Sequence, residues 1–287
     1  MVTVSKHVLA AARAGVTRGR IEIRQQLTNR EDLLNLVLPA TIFLVVMIFM
    51  RDASLPGTNF SLGAATVPGV LGAGITLNGL TGMAGALAVE REDGTLLRAK
   101  ATPNGMTGYL IGKVLQVSGT TVLGMLVVLI PSLFLFEGLA QDGPLSWLGL
   151  LGVVTIGLVA TMPLGAVLGS LSANSRNVGL IMLPIFGLGA ISGIFYPITA
   201  MPEWLQWVAQ VFPMYWLGLG MRSALLPDSA MLVEIGQSWR HLETLGVLAG
   251  WAVIGLTLAP VLLRRMARRE SGSSVAARRD KAMQRVG

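Results

Sequence analysis

Long apolar runs alternate with short polar breaks along almost the whole chain. Residues 62–89 and 114–136 contain no charged side chain, and apolar segments of this length can cross the hydrocarbon core of a membrane as helices. The pattern therefore predicts an all-α membrane protein with six transmembrane helices in a domain over 33–263. We place the six spans at about 33–50, 62–89, 109–136, 145–171, 178–196 and 245–263.

The first 32 residues have a different pattern, because their apolar positions recur at helical spacing among arginines. Val8, Leu9, Ala12 and Val16 share one side of a helix. We predict an amphipathic interfacial helix, or a pair of helices, as a leader over 1–32. Such a leader either lies in the lipid headgroup layer or is solvated, and its basic amphipathicity alone does not decide between the two. It lacks the uninterrupted apolar core of a signal peptide.

Two further regions are not spans. The region 197–242 has no charge-free stretch long enough to cross the membrane twice, and it holds Trp204, Trp207 and Tyr215. Aromatic side chains of this kind concentrate at the membrane–water boundary. We predict short re-entrant or interfacial helices there, before the last span. The end of the chain, 264–287, is basic and rich in Ser and Ala, so we predict a disordered tail.

The second predicted span has one small and polar face. Gly74, Asn78, Thr81, Gly82 and Gly85 follow one another by three- and four-residue steps. One interpretation is close helix–helix packing, with the Asn78 amide hydrogen-bonded across the interface. The other is a face that lines a translocation cavity.

Composition supports the membrane assignment. Only 13% of the 287 residues are charged, against about a quarter in soluble domains, and the mean hydropathy is +0.66. The chain has no cysteine, which excludes disulfides and thiolate metal sites. Its two histidines, His7 and His241, lie far apart in sequence and do not form a metal-binding pair.

The distribution of positive charge predicts the topology. Of the 22 Lys and Arg residues, only Arg51, Arg222 and Arg240 fall on the side opposite the termini when six spans are drawn. The positive-inside rule then places both termini and the loop at 90–113 in the cytoplasm, and 197–242 outside the cell membrane. The net charge of +7 does not indicate a nucleic-acid partner, because the basic residues cluster beside apolar spans, where membrane lipid is the partner.

The sequence also excludes several kinds of chemistry. Acidic residues avoid the apolar spans, so there is no evident relay for an ion-coupled carrier and no buried cluster for a membrane-embedded enzyme. The two halves do not match as inverted repeats would. There is no GxxxxGK[ST] loop to bind ATP. If transport is active, its energy must come from another polypeptide.

Two motifs carry a resemblance to a known family. The segment 90–98, EREDGTLLR, followed by Pro103 and Gly112-Lys113, resembles the loop after span two in the membrane subunits of type-2 ABC exporters. The group includes drug- and polysaccharide-export permeases. The segment 193–197, GIFYP, with MPEWL and PMYW after it, resembles that family's motif after span five. The resemblance covers nearly the whole chain, and the two motifs in this order are specific.

The resemblance implies a permease that is not itself an enzyme and binds no cofactor. ATP and Mg²⁺ would be held by a separate ATP-binding-cassette subunit, and two copies of this chain would assemble with two ATPase chains. The loop at 90–113 would hold a coupling helix that docks on the ATPase; the alternative is a solvated loop that only connects spans. The expected partner-coupling residues are Glu90, Arg91, Glu92, Gly94, Thr95, Leu97 and Arg98.

The resemblance further implies that short external helices close the outer end of the pathway. The alternative is an aromatic belt that anchors an inert loop. Arg222 would either snorkel or pair with an acid such as Glu203. The expected external gate residues are Gly193, Pro197, Pro202, Trp204, Trp207, Pro213 and Tyr215.

We expect substrate to move between spans two and five. A lipophilic drug-, antibiotic- or lipid-like molecule suits the small and apolar faces, as in multidrug efflux and antibiotic resistance of bacteria. Sodium or polysaccharide export by the same family, or less favourably an ion-coupled carrier, are the alternatives. The expected pathway residues are Asn78, Thr81, Met182, Phe186 and Ser192.

Overall fold

The fold is described by a computed structural model over residues 2–54, 60–102, 104–140, 143–172 and 175–269. Within these ranges the chain is helical apart from turns and connections, and it forms no β-strand. This confirms the all-α prediction. Three features lie outside the described residues: Pro56-Gly57, a pair that predicts a turn after the first span, the motif residue Pro103, and the tail beyond Arg269.

The helices follow one another with short connections. They are α1 (Val2–Thr28), α2 (Arg30–Phe49), α3 (Leu62–Leu77), α4 (Met83–Glu92), α5 (Thr95–Lys100), α6 (Gly105–Leu135), α7 (Pro144–Leu171), α8 (Ser175–Ile191), α9 (Glu203–Val211), α10 (Pro213–Leu225) and α11 (His241–Arg269). A five-residue π-helix, Asn78–Gly82, joins α3 and α4 into one continuous rod.

Five helices in the described ranges are long and apolar enough to cross a membrane. They are Arg30–Phe49, Leu62–Glu92, Gly105–Leu135, Pro144–Leu171 and His241–Arg268. They correspond to the predicted spans one to four and six, and they identify a multi-pass membrane protein. The predicted fifth span coincides with α8, whose 17 residues fall short of the roughly 20 that a crossing requires.

The ends of several helices differ from the prediction. The leader is one continuous helix rather than a pair, and Asn29 caps the start of α2 by accepting a hydrogen bond from the Glu31 amide at 3.0 Å. The last helix continues through Arg264–Arg269, so the first part of the predicted disordered tail is helical. It continues because Leu263 and Met266 are buried in a cluster with Leu96.

The main hydrophobic core lies where α10 inserts between α3, α7 and α11. Tyr215, Leu217 and Leu219 of α10 are completely buried there. The backbones approach so closely that a Cβ on Gly72 of α3 would lie 2.7 Å from the Gly218 amide nitrogen. α10 is therefore part of the bundle interior, whereas α9 exposes Trp204 and Trp207 on its surface.

The leader helix α1 packs along the first turns of α6. A Cβ on Gly19 would lie 2.8 Å from the carbonyl oxygen of Gly112, and one on Gly112 would lie 2.9 Å from that of Gly15. Gly15 and Gly19 thus face Gly108 and Gly112, a pairing of small residues four apart that lets two helices touch along their backbones. α1 is held by the bundle along this face, which neither sequence interpretation included.

A second close contact joins the α3–α4 rod to α7. A Cβ on Gly165 of α7 would lie 2.5 Å from the Gly79 carbonyl oxygen and 2.6 Å from that of Leu80. Because Gly79 lies in the π-helix, the three- and four-residue steps assumed for span two do not hold there. The Asn78 amide donates to the Gly74 carbonyl oxygen of its own helix at 2.9 Å, so the predicted bond across the interface is replaced by a local one.

This contact gives a testable result. Gly165→Leu is expected to lower the free energy of unfolding by about 1–3 kcal/mol, because the new side chain would separate α7 from the π-helix. Gly152→Leu, on the exposed face of the same helix with no atom within 4 Å of its added Cβ, gains the same helix propensity without the collision. Thermal unfolding in detergent micelles should separate the two variants, and equal melting temperatures would contradict the packing.

Candidate functional site

The predicted coupling loop is mostly helical. Glu90–Glu92 is the last turn of α4, and the chain from Gly105 already belongs to α6, so the connection is shorter than the predicted 90–113. The turn between α4 and α5 is made at Gly94, which is buried and adopts the left-handed conformation (φ 79°) that favours glycine. The Thr95 amide at the start of α5 donates to the Asp93 carboxylate at 2.7 Å.

Helix α5 is anchored on one side and open on the other. Leu96 is buried in the cluster beneath it, together with Tyr109 of α6 and Met266 of α11. Arg98 is exposed, and its guanidinium donates to the Thr95 hydroxyl at 2.8 Å. Leu97 is half-buried between the two. α5 therefore offers a short, partly basic ridge at the junction of two long apolar helices.

Two of the predicted coupling residues, Glu90 and Arg91, contact other helices of the bundle. Arg91 donates to the carbonyl oxygen of Ser172, at the end of α7, at 2.6 Å. Glu90 faces α6 and α1 instead of the surface: its Oε1 lies 2.7 Å from Lys113 Nζ and 3.1 Å from Arg18 Nη2. Glu90 thus holds helices together, while Arg98 remains on the open side of α5.

Glu90 belongs to a partly buried cluster of four charged side chains, Arg18, Glu22, Glu90 and Lys113, called here the basal ion cluster. Lys113 Nζ lies 2.9 Å from Glu22 Oε2, and Arg18 Nε lies 2.6 Å from Glu22 Oε1. The side chain of Lys113 is 4% exposed, and its third donor bonds Gln116 Oε1 at 2.7 Å. The two acids and two bases balance, which allows such a cluster to be buried.

The basal ion cluster keeps the Glu22 carboxylate of the leader helix ionised where α1 meets α4 and α6. Burial by itself raises the pKa of Glu22, but hydrogen bonds and charge from Arg18 and Lys113 outweigh it and leave the pKa below its ordinary value. Glu22 is therefore ionised at neutral pH. The sequence did contain a signal for this docking, since Gly15 and Gly19 have the same spacing as Gly108 and Gly112, but sequence reasoning assigned no role to it.

A cavity of about 500 Å³ lies between α2, α3, α6 and α8. Two of the predicted pathway residues, Asn78 and Phe186, line it. Two other lining residues, Phe43 of α2 and Phe195 after α8, stack with their ring centroids 6.0 Å apart. The cavity thus brings together span two and α8, the pair of helices between which the sequence predicted the pathway.

The remaining predicted pathway residues lie outside this cavity. The Thr81 hydroxyl donates to the Leu77 carbonyl oxygen at 2.7 Å. Met182 is buried in a small cluster with Ala84 and Ala88 of α4. The Ser192 hydroxyl donates to the Gly189 carbonyl oxygen at 2.8 Å. These three side chains make local contacts and do not line the open volume.

The segment between α8 and α11, residues 192–240, is called the cap segment here. Its centre is a buried ion pair in which Arg222 Nε lies 2.6 Å from Glu234 Oε1. Of the two expectations, Arg222 pairs with an acid rather than snorkelling, but the acid is Glu234 and not Glu203, which is exposed at the start of α9. Arg222 also donates to the carbonyl oxygen of Gly193 at 3.2 Å, where the chain turns with φ 71°.

The predicted gate residues divide into two groups within the cap segment. Trp204 and Trp207 are 65% and 70% exposed, and they share one face of α9. Tyr215 is completely buried with its ring edge-on to Trp216. The prolines mark boundaries: Pro197 precedes the 3₁₀ turn Ile198–Ala200, Pro202 precedes α9, and Pro213 begins α10.

Comparison with known families decides the identity of this bundle. The family described as ABC-2 family transporter protein matches residues 50–259, more than half of the chain. The chain belongs to this family. The matched range contains α5, the cavity-lining part of α3 and the cap segment, and it begins after α2. No curated protein matches the chain.

Membership makes this protein a membrane permease of the ABC-2 type. Permeases of the family are transport subunits that normally work with an ATPase subunit and generally lack an ATPase site of their own. Among the described residues, no cluster of three His, Asp or Glu side chains could hold a metal ion. The ABC-2 fold thus accounts for a multi-pass bundle whose polar features are concentrated at its ends.

Proposed function

We propose that this ABC-2 permease is the transmembrane subunit of an ATP-driven exporter. A separate ATP-binding-cassette subunit holds ATP and Mg²⁺, and this chain binds no cofactor. The observation that carries the proposal is α5, a short helix fixed by Leu96 and presenting Arg98 between two long apolar helices. Its neighbour Arg91 bonds the end of α7, so force applied to α5 reaches α4, α6 and α7.

The orientation in the membrane follows from charge. The 17 residues of α8 are below the usual length of a crossing but at its lower limit of about 17. With α8 taken as the sixth crossing, the basic leader, α5 and the basic end of α11 share one side, and the positive-inside rule assigns that side to the cytoplasm. Both termini are then cytoplasmic, and the cap segment faces outward as the gate. Two copies of the chain with two ATPase chains form the working assembly.

The substrate class is lipophilic, as in drug, antibiotic or lipid export. Its support is the cavity between α3 and α8, whose lining includes no charged side chain. Sodium ions would require oxygen ligands of high charge density, and sugars would require a denser set of polar groups. Multidrug or antibiotic resistance is the cellular outcome of this activity.

Reversing the charge of Arg98 tests the coupling. Arg98→Glu is expected to weaken ATPase docking roughly tenfold, equivalent to about 1.4 kcal/mol, because a charge-assisted contact becomes repulsive. Co-purification with the candidate ATPase and substrate-stimulated ATP hydrolysis are the measurements. Arg20→Glu, exposed on α1, is the matched control and should leave both unchanged.

Unchanged docking and hydrolysis in Arg98→Glu would reject α5 as the coupling helix. The orientation can be checked on the same position, since the chain has no cysteine of its own. Arg98→Cys should react with a membrane-impermeant maleimide only after the cells are opened. Labelling of intact cells would reject the proposed topology.

A further inference from the structure

The cavity between α2, α3, α6 and α8 is large enough to hold a ligand, and it is formed by a single chain. Its volume of about 500 Å³ falls within the range of roughly 300–1,000 Å³ that drug-sized ligands occupy. All four walls come from one copy of the permease. A molecule can therefore be held there without a contribution from a second subunit.

The lining specifies an uncharged molecule. No Asp, Glu, Lys, Arg or His borders the cavity, and most of the wall is aliphatic or aromatic. A charged ligand would lose its hydration without gaining a partner. The polar groups are few, chiefly Asn35, Asn78 and Thr121. The side-chain nitrogen of Asn78 donates to the Gly74 carbonyl oxygen. Within the described part of the chain, its side-chain oxygen accepts no hydrogen bond.

The polar groups lie near one end of the cavity. Asn78 is near the middle of the rod Leu62–Glu92, and Thr121 is near the middle of α6. From Asn78 to Val70 the lining continues for about 12 Å along the helix axis, given the rise of about 1.5 Å per residue. The stacked pair Phe43 and Phe195 borders the cavity near the cap segment. The shape suits one hydrogen-bonding group and an apolar body.

The two helices on the outer side of the cavity are the least enclosed. α2 has the smallest buried share of the five candidate spans, and Phe186 of α8 is 55% exposed. An apolar molecule dissolved in the bilayer can reach the cavity by passing between them. The hydrophobic effect gives little net drive for that step, because both environments are apolar, so hydrogen bonding and shape must supply the selectivity.

We infer that this cavity binds an uncharged, mostly apolar molecule that carries a hydroxyl or amide group and enters sideways from the bilayer between α2 and α8. Its hydrogen-bonding group meets Asn78 at mid-depth, and its apolar body points toward Phe43 and Phe195. The inference rests on the proposed function in one respect, that this molecule is the exporter's substrate. Binding itself requires neither ATP nor the ATPase.

The test is photolabelling of the purified full-length permease in phosphatidylcholine nanodiscs, without ATPase. The probe is dodecanol carrying a diazirine. Saturable labelling is expected on α3 around Gly74 and on α8 around Gly189. An added Cβ on Gly74, which lines the cavity, meets no atom within 4 Å, so the ring of Gly74→Phe is expected to occupy the cavity. It should lower this labelling at least about fivefold, as a loss of roughly 1 kcal/mol implies.

Gly250→Phe is the matched control, because the added Cβ there also meets no atom within 4 Å and the residue is exposed on α11, away from the cavity. It should label as wild type. If Gly74→Phe fails to fold, Gly189→Leu fills the same cavity from the opposite wall, where the nearest atom would be Met214 Sδ at 3.5 Å. Competition by diolein or by pregnenolone, both of which carry a hydroxyl, shows whether a neutral lipid or a drug-like molecule is the better occupant.

Three outcomes would overturn the inference. The first is labelling that never saturates and is as strong on α11 as on α3 and α8. The second is labelling that neither filling variant lowers, and the third is labelling by the charged dodecanoate analogue as strong as that by dodecanol. Export of dodecanol by the reconstituted complex separates the two proposals. Binding that is lost in the filling variants, without ATP-driven export by the wild-type complex, would reject the exporter function and keep the binding site. Export that persists in Gly74→Phe after binding is lost would reject the cavity as the substrate site and keep the exporter.

Discussion

Replacing Lys113 with methionine is expected to release the leader helix from the bundle and to lower the free energy of unfolding by about 3 kcal/mol. Lys113 lies between Glu22 and Glu90 and is almost fully buried. Without it, the largely buried carboxylates of Glu22 and Glu90, which are 18% and 13% exposed, share Arg18 as their cation in the described part of the chain. Methionine keeps the apolar stem of lysine, so the loss comes from charge and not from packing.

Two measurements check this expectation. Thermal unfolding in detergent micelles reports the stability of the bundle, and limited proteolysis reports whether α1 has detached. Arg20→Met is the matched control, because Arg20 is exposed on the same helix and surface changes of this kind stay within about 0.5 kcal/mol. Adding Glu90→Gln to Lys113→Met should recover most of the loss, since the remaining Arg18 and Glu22 are balanced. A Lys113→Met protein that melts and resists protease like wild type would contradict the role of the cluster.

The basal ion cluster also bears on how α5 would act. Glu90 lies in the last turn of α4, just before α5 in sequence. Ion pairs with Lys113 and Arg18 join it to α6 and α1. A displacement of α5 cannot therefore be absorbed by the end of α4 alone. If α5 is the coupling helix, as proposed, we expect the leader helix to move with it, because an ion pair joins α1 to the end of α4.

Apolar length was sufficient to predict five of the six spans, and charge was insufficient to predict where helices end. The run at 62–89 lies within a helix of 31 residues, and the run at 114–136 lies within a second one except for Phe136, its C-cap. Their bounds were misplaced because helices extend into charged sequence when one face stays packed. Glu90–Glu92 completes α4, and Arg264–Arg269 completes α11 over a buried Met266.

The contacts of individual site residues were the part that sequence could not supply. Pairing Arg222 with Glu203 assumed that the nearest suitable acid in a motif is the partner, but the path of the cap segment brings Glu234 to it instead. The face of span two was drawn with 3.6 residues per turn, which the π-helix at Asn78–Gly82 interrupts. The spacing of Gly15 and Gly19 indicated a close helix contact, but the sequence did not show that α6 is the helix they contact.

Replacing Arg222 with methionine is expected to destabilise the protein by about 3–5 kcal/mol and to free the cap segment. The side chains of Arg222 and Glu234 are 7% and 4% exposed, so water solvates neither charge and each depends on the other. Arg222 also holds the Gly193 carbonyl. A single guanidinium thus joins α10, the turn after α8 and the chain before α11, and its loss leaves the Glu234 carboxylate buried without a counter-charge.

The order of three variants distinguishes the ion pair from general damage. Glu234→Gln should cost less than Arg222→Met, because an amide can still accept a hydrogen bond from the guanidinium. Glu203→Gln makes the same chemical change at an exposed position and should leave the melting temperature of the purified protein unchanged. Arg222→Met combined with Glu234→Met should regain stability over Arg222→Met alone, since an apolar pair replaces a stranded charge. If Glu203→Gln destabilises the protein as much as Glu234→Gln, the cap segment is not held by the Arg222–Glu234 pair.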